Sequence, residues 1–115
     1  MQVQLYTMQS PQQPPRNVLI AGGGSGGHVA PAIAAAQSLS EKGASVVLAH
    51  SNRKIDREML CDSPFDGVVL PAVPLSITPL RFIRFCAKFL KASKQIRSII
   101  KERNIDCVLA TGGFV

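Results

Sequence analysis

The sequence predicts an α/β protein built on a doubly wound parallel sheet, and three observations carry that prediction. Four short apolar runs, "NVLIA" (17–21), "ASVVLAH" (44–50), "GVVLP" (67–71) and "DCVLAT" (106–111), have the pattern of strands buried on both faces. Between successive runs lie segments of helical pattern, long enough for the crossovers that parallel pairing requires. The first run ends in a glycine-rich stretch, "GGGSGG" (22–27), that opens onto a helix.

The first 15 residues, "MQVQLYTMQSPQQPP", hold five Gln, three Pro and no charge, and lack the basic start and apolar stretch of a secretory signal. Residues 1–16 are therefore expected to form a disordered extension ahead of one domain spanning 17–115. After the first strand and its loop, "HVAPAIAAAQSLSEKG" reads as a helix. Pro31 is expected in its first turn, where a missing N–H costs nothing, alanines favour it, and Gly43 stands where a helix stops. Residues 17–40 carry no charged side chain, but the Gly/Ser stretch and Pro31 break any membrane-spanning helix there. A second strand (44–50), a short helix from Arg53 to Leu60 and a third strand (67–71) follow. Pro74 and Pro79 make "AVPLSITP" a loop. A long helix then runs from Leu80 to about Arg103, and the fourth strand leads into a second glycine pair, "GGFV". Strands joined through helices pair in parallel with right-handed crossovers, which makes this a sheet of Rossmann type.

Composition narrows the class. The chain is 46% hydrophobic and 17% charged, without Trp, which suits an aliphatic core. Cys61, Cys86 and Cys107 are scattered, with neither zinc-ligand spacing nor a disulfide framework, and read as free thiols of a reducing cytoplasm. The formal charge of +6 points to an anionic partner, and eight of the 13 cations lie between Arg81 and Arg103, where Glu102 is the only acid.

The glycine loop falls at the carboxyl edge of the sheet, facing a helix N-terminus. Unsatisfied N–H groups and the positive end of the dipole attract phosphate there, and glycine lets the backbone approach closely. The loop is thus shaped for an anion, with a diphosphate the best fit. Gly22, Gly24 and Gly27 also match G-x-G-x-x-G, the mark of a nicotinamide or flavin protein. Such a site expects an acid at the end of the second strand, about 20 residues on, where this chain reads "AHSN". A Walker A loop fails for want of the Lys-Ser/Thr pair. A bare tight turn needs only one or two glycines. His28, at the start of the helix, suits a general base, since imidazole exchanges protons near neutral pH; a structural hydrogen bond to loop or phosphate is the alternative.

"GGGSGGHVAPAIAAAQSL" with "VLATGGFV" some eighty residues on resembles the N-terminal half of the bacterial MurG family of peptidoglycan glycosyltransferases. That family opens with GGTGGHxxPxxA and carries a second loop of the form GGY/F-V. Ser25 replaces the customary threonine and keeps the hydroxyl; the second motif stops before the serine-glycine-proline that normally follows. The resemblance covers residues 17–115. It implies a GT-B enzyme of two Rossmann-like domains that moves N-acetylglucosamine from UDP-N-acetylglucosamine to the muramyl 4-hydroxyl of lipid I, with inversion and without metal or other cofactor. The N-terminal domain of that family binds the acceptor, an undecaprenyl-diphosphate-linked muramyl peptide. Carried over by position, Gly23, Ser25, Gly26 and Gly27 would cradle the diphosphate with Gly112 and Gly113, and His28 would be the catalytic base. The family's donor domain has no counterpart in these residues, so UDP-N-acetylglucosamine is expected to bind only where that domain is supplied. The chain alone is expected to be inactive, as a fragment, a truncated product or one subunit of a split enzyme. The alternatives are a non-catalytic membrane-docking subunit of a split glycosyltransferase and, disfavoured by the missing acid, a nicotinamide-dependent oxidoreductase domain.

The long helix has two stripes. Phe82, Phe85, Cys86, Phe89, Ile96, Ile99 and Ile100 recur on one, and Arg81, Arg84, Lys88, Lys91, Lys94, Arg97 and Lys101 on the other. Its end reads as an ordinary sheet-covering helix. At its start, Leu75, Ile77, Leu80, Phe82 and Ile83 cannot all face inward. Flanked by Arg81, Arg84, Lys88 and Lys91, they suit peripheral docking on an anionic membrane surface, here the cytoplasmic face of the bacterial inner membrane. Nucleic acid is not expected as a partner, because no stacking aromatic platform or binding motif is present.

Overall fold

The computed structural model describes residues 16–71 and 77–113. The expected N-terminal extension lies outside the described residues but for Arg16, and so does Leu75. The described elements run β1 (Asn17–Gly23), α1 (Gly26–Glu41), β2 (Ser45–Ser51), α2 (Lys54–Leu60), β3 (Asp66–Leu70), α3 (Pro79–Glu102) and β4 (Cys107–Gly113). All pairings are parallel and the sheet order is β3-β2-β1-β4. The order of elements and the doubly wound α/β class agree with the sequence.

Alternation along the strands divides the core in two. On one face, Val18, Ile20, Val46 and Leu48 pack with Ala32, Ala36 and Ala44, flanked by Leu39, Leu60 and Phe65. The small α1 side chains let that helix settle close to β1. On the other face, Leu19, Val47, Ala49 and Leu70 meet Ile96, Ile99 and Ile100 of α3, with Ile105 beyond it. Gly43, at φ +88, stops α1 as expected, with its own N–H on the Ser40 carbonyl and that of Ala44 on the Leu39 carbonyl. The start of β1 is pinned by Asp106, whose Oδ2 accepts the N–H groups of Arg16 and Asn17 at 3.1 and 3.0 Å.

Most boundaries fall within one or two residues of the sequence reading, and two of the shifts reshape the glycine loop. β1 continues through Gly22 and Gly23, because β4 supplies Gly112 and Gly113 as ladder partners. Helix α1 begins at Gly26 rather than His28, so Pro31 stands in the second turn and not the first. Its missing N–H deletes the helical bond to the Gly27 carbonyl.

Candidate functional site

Chain direction across the sheet reverses between β1 and β4: β1 leads away through α1, whereas β4 is reached from β3 through α3. Open α/β sheets take ligands in the crevice at such a switch point. Here both strands flanking the crevice end in glycine, with Gly22 opposite Gly112 and Gly23 opposite Gly113.

The ladder slips just before those glycines. Ala21 faces Ala110, but Gly22 faces Gly112, which leaves Thr111 as the extra residue of a bulge. A bulge re-aims the groups it carries. Thr111 Oγ1 donates to the His28 carbonyl at 2.9 Å, and the Thr111 carbonyl lies 3.2 Å from His28 Nδ1. A carbonyl can only accept, so Nδ1 carries the proton and Nε2 is left as the basic nitrogen. Gly112, at φ +99, backs the ring: a Cβ there would stand 3.2 Å from Nδ1 and 3.3 Å from Cε1. At Gly22 a Cβ would fall 2.0 Å from Thr111 Oγ1 and 3.1 Å from the His28 carbonyl. Glycine at these two positions is what lets β1, α1 and β4 meet around the histidine.

On the other side of the loop, Gly24, at φ +93, donates its N–H to both carboxylate oxygens of Asp56 at 2.9 Å. Its carbonyl accepts Arg53 Nη1 at 3.1 Å. Asp56 is wholly buried and also accepts the N–H of Ser51 at 3.0 Å and the Ser51 hydroxyl. The amides of His28 and Val29 both turn to the Ser25 carbonyl at 3.1 Å. Those of Gly26 and Gly27, in the first turn of α1, have no place in the helical ladder. No acidic side chain occupies that turn, and the Ser25 side chain makes no capping bond. The result is a helix N-terminus that carries two ladder-free amides, a hydroxyl and an imidazole within four residues, groups suited to an oxyanion and to a proton acceptor. Among the described residues no three of His, Cys, Asp and Glu come together as a metal site.

Of the residues singled out from sequence, Ser25, Gly26, Gly27 and His28 open α1, while Gly23, Gly112 and Gly113 lie on the paired strand ends beside them. Ile77, Leu80, Phe82 and Ile83, at and before the start of α3, are all exposed, Ile77 fully and Leu80 by 75%, and so are Arg81, Arg84, Lys88 and Lys91. The stacked rings of Phe82, Phe85 and Phe89, with centroids 6.5 and 6.1 Å apart, continue that surface. Among the described residues no helix is long and apolar enough to cross a membrane. Sequence reasoning missed Asp56, Ser51, Arg53 and Thr111. The one available signal was an acid shortly after the second strand; Asp56 stands five residues beyond Ser51 and turns inward to the loop instead of outward to a ribose. His50, the second histidine, is buried at the end of β2 with Nδ1 on the Ser51 carbonyl at 2.9 Å, outside this cluster.

Residues 18–115 match the family model described as the glycosyltransferase family 28 N-terminal domain. Curated relatives include the UDP-N-acetylglucosamine--N-acetylmuramyl-(pentapeptide) pyrophosphoryl-undecaprenol N-acetylglucosamine transferase of Corynebacterium efficiens, 32% identical over 94% of this chain and 30% of the relative. The enzyme of the same name from Halothermothrix orenii is 30% identical over 85% of this chain and 27% of the relative. The crystal structure of Acinetobacter baumannii MurG superposes with a TM-score of 0.73 at 26% identity, covering 87% of this chain and 29% of that one. The chain thus spans about 30% of the length of the curated relatives it matches. With nearly all of its described residues inside the family model, it belongs to the glycosyltransferase family 28 N-terminal domain family.

Proposed function

We propose that this chain forms the acceptor side of an inverting transferase that carries N-acetylglucosamine from UDP-N-acetylglucosamine to lipid I, giving lipid II. The observation that carries the reading is the bond between His28 Nδ1 and the Thr111 carbonyl, which leaves Nε2 as the nitrogen free to accept a proton beside the glycine loop. The Gly26 and Gly27 amides and the Ser25 hydroxyl hold the diphosphate that links the muramyl sugar to its prenyl chain. Gly23, Gly112 and Gly113 keep the adjoining strand ends free of side chains. His28 Nε2 takes the proton of the muramyl 4-hydroxyl as that oxygen bonds to the anomeric carbon of the donor sugar. On the opposite face the bond from that carbon to the UDP oxygen breaks, and UDP leaves with the electron pair. The imidazolium then returns its proton to solvent. Donor binding is assigned to the part of the relatives' length that this chain does not span. The names of the relatives support the choice of substrates. The exposed, cation-flanked start of α3 supports peripheral docking at the cytoplasmic face of the inner membrane, with the prenyl tail left in the bilayer.

Calorimetric titration with a lipid I analogue of shortened prenyl chain tests the reading. The chain should bind the analogue but not UDP-N-acetylglucosamine, and should form no product from lipid I and UDP-N-acetylglucosamine on its own. Gly27→Ala, whose methyl meets only Ser25 Oγ at 3.8 Å, should fold normally and bind the analogue more weakly. An analogue that fails to bind, or that binds Gly27→Ala unchanged, rejects the assignment.

A further inference from the structure

We propose that Asp56 is a positioning residue, setting the conformation in which the glycine loop presents its amides. The proposal rests on the reading of that loop as a diphosphate seat, and it concerns a group that touches no substrate. A carboxylate buried without compensation is strongly unfavourable, and Asp56 is compensated by short contacts: the Gly24 amide bridges its two oxygens, and the Ser51 amide and hydroxyl satisfy Oδ2. Of these groups, the Ser51 amide and hydroxyl belong to the end of β2, and the Gly24 amide belongs to the loop 32 residues earlier in the chain. Asp56 therefore ties the loop to the sheet from the α2 side, as Thr111 ties the start of α1 to the sheet from the β4 side.

Two consequences follow for ligand recognition. Gly24 is held at φ +93, the left-handed conformation from which the chain turns out of β1 and into α1, so the direction of the first helical amides depends on this clamp. The Gly24 amide is also consumed, so an incoming anion meets the amides of Gly26 and Gly27 and not that of Gly24. Arg53 donates Nη1 to the Gly24 carbonyl at 3.1 Å and so holds the next peptide group, between Gly24 and Ser25. Asparagine cannot replace Asp56. It matches the shape but brings an NH2 group, which faces the Gly24 N–H in either orientation because that amide bridges both oxygens, and a donor facing a donor opens the clamp.

The test is amide hydrogen exchange and nitrogen–proton correlation spectra of the 115-residue chain, with inorganic pyrophosphate as the probe. In the wild type the Gly24 amide should be shifted downfield and exchange as slowly as the strand amides of Leu19 and Ile20. Pyrophosphate should move the Gly26 and Gly27 resonances without moving Gly24. In Asp56→Asn the Gly24 protection and shift should vanish and pyrophosphate affinity should fall about tenfold, while Leu19 and Ile20 stay protected. Ser51→Ala, which removes one donor and leaves the Gly24 contact, should lose less affinity than Asp56→Asn and keep Gly24 protected. Should Asp56→Asn fail to fold, the wild type and Ser51→Ala decide the matter. A wild-type Gly24 amide that exchanges like an exposed one overturns the proposal, as does a folded Asp56→Asn that binds pyrophosphate within twofold of the wild type. A wild type that protects Gly24 but does not bind pyrophosphate supports the clamp and rejects the diphosphate reading.

Discussion

Helices α1 and α3 cover opposite faces of one sheet and are built on opposite plans. α1 has a single charged residue, Glu41 at its end, and lays Val29, Ala32 and Ala36 against the strands with almost no exposure. α3 is half as long again and strongly basic, and none of its residues is fully buried. Only its last turns, through Ile96, Ile99 and Ile100, join the core. The earlier turns hold Phe82, Ile83, Phe89 and Leu90 in solvent, and these exposed apolar residues lie among Arg81, Arg84, Lys88 and Lys91. Tight seating suits a helix whose N-terminus must hold a loop and a histidine to fractions of an ångström. A loosely seated, cationic, apolar start suits a helix that meets something outside the protein. On the proposed roles, the same fold separates precision and contact between its two faces.

The sharpest way to break the α1 side is Gly22→Ala. The added Cβ would lie 2.0 Å from Thr111 Oγ1, 3.1 Å from the His28 carbonyl and 3.3 Å from the Ala32 Cβ, so the Thr111 side chain must leave its place on the His28 carbonyl, and β1 is crowded against α1. Urea unfolding should show a loss of about 3 kcal/mol, and Thr111→Ala in the same chain should cost less than the sum of the two single changes. Strict additivity would mean that the bulge does not hold the helix start. On the α3 side the matching change is Ile99→Ala, in the half-buried end, which should cost about 2 kcal/mol. Phe89→Ala, 59% exposed on the same helix, should stay within about 0.5 kcal/mol of the wild type. Equal losses at both positions would erase the distinction between the two parts of α3. Gly112→Ala comes next. The left-handed φ alone costs about 1–2 kcal/mol, and the methyl displaces the His28 ring it would touch at 3.2 Å. The His28 Nδ1 resonance should shift, signalling loss of the bond to the Thr111 carbonyl.

What the sequence made legible follows the range of the interactions involved. The strands, the crossover helices, the glycine turn and the helix-starting histidine are written in local pattern, and the element order came out as read. Features that depend on a distant partner were not legible. β1 runs on through Gly22 and Gly23 only because Gly112 and Gly113, ninety residues on, pair with them. The same register slip exposes Thr111 to His28, and no local feature of "LATGG" announces a bulge. Asp56 sits in "KIDREML", which reads as a short helix with nothing to mark one acid as buried; its burial follows from Gly24 and Ser51 converging on it. The early start of α1, and with it the displacement of Pro31 into the second turn, has the same origin: once Gly24 is clamped and β1 ends at Gly23, Gly26 is the first residue free to turn.

The smallest expected effect bears most directly on what α3 is for. Lys88 and Lys91 are exposed beside Phe89 and Leu90 and belong to no ion pair among the described residues. Replacing either by Gln should therefore leave unfolding unchanged. If this surface rests on an anionic leaflet, each cation contributes about 1 kcal/mol near the membrane, and each replacement should weaken binding to phosphatidylglycerol-containing vesicles about fivefold. Both together should weaken it by about the product, and flotation of the wild type should fade as salt shortens the reach of the charges. Phe82→Ser with Ile83→Ser should lower binding at every salt concentration, because insertion of apolar side chains is not screened. The two sets of variants thus separate the electrostatic from the apolar share of docking. Flotation indifferent to lipid charge, to salt and to all four positions would leave α3 as a solvated cover for the sheet, and the contrast with α1 would reduce to one of packing alone.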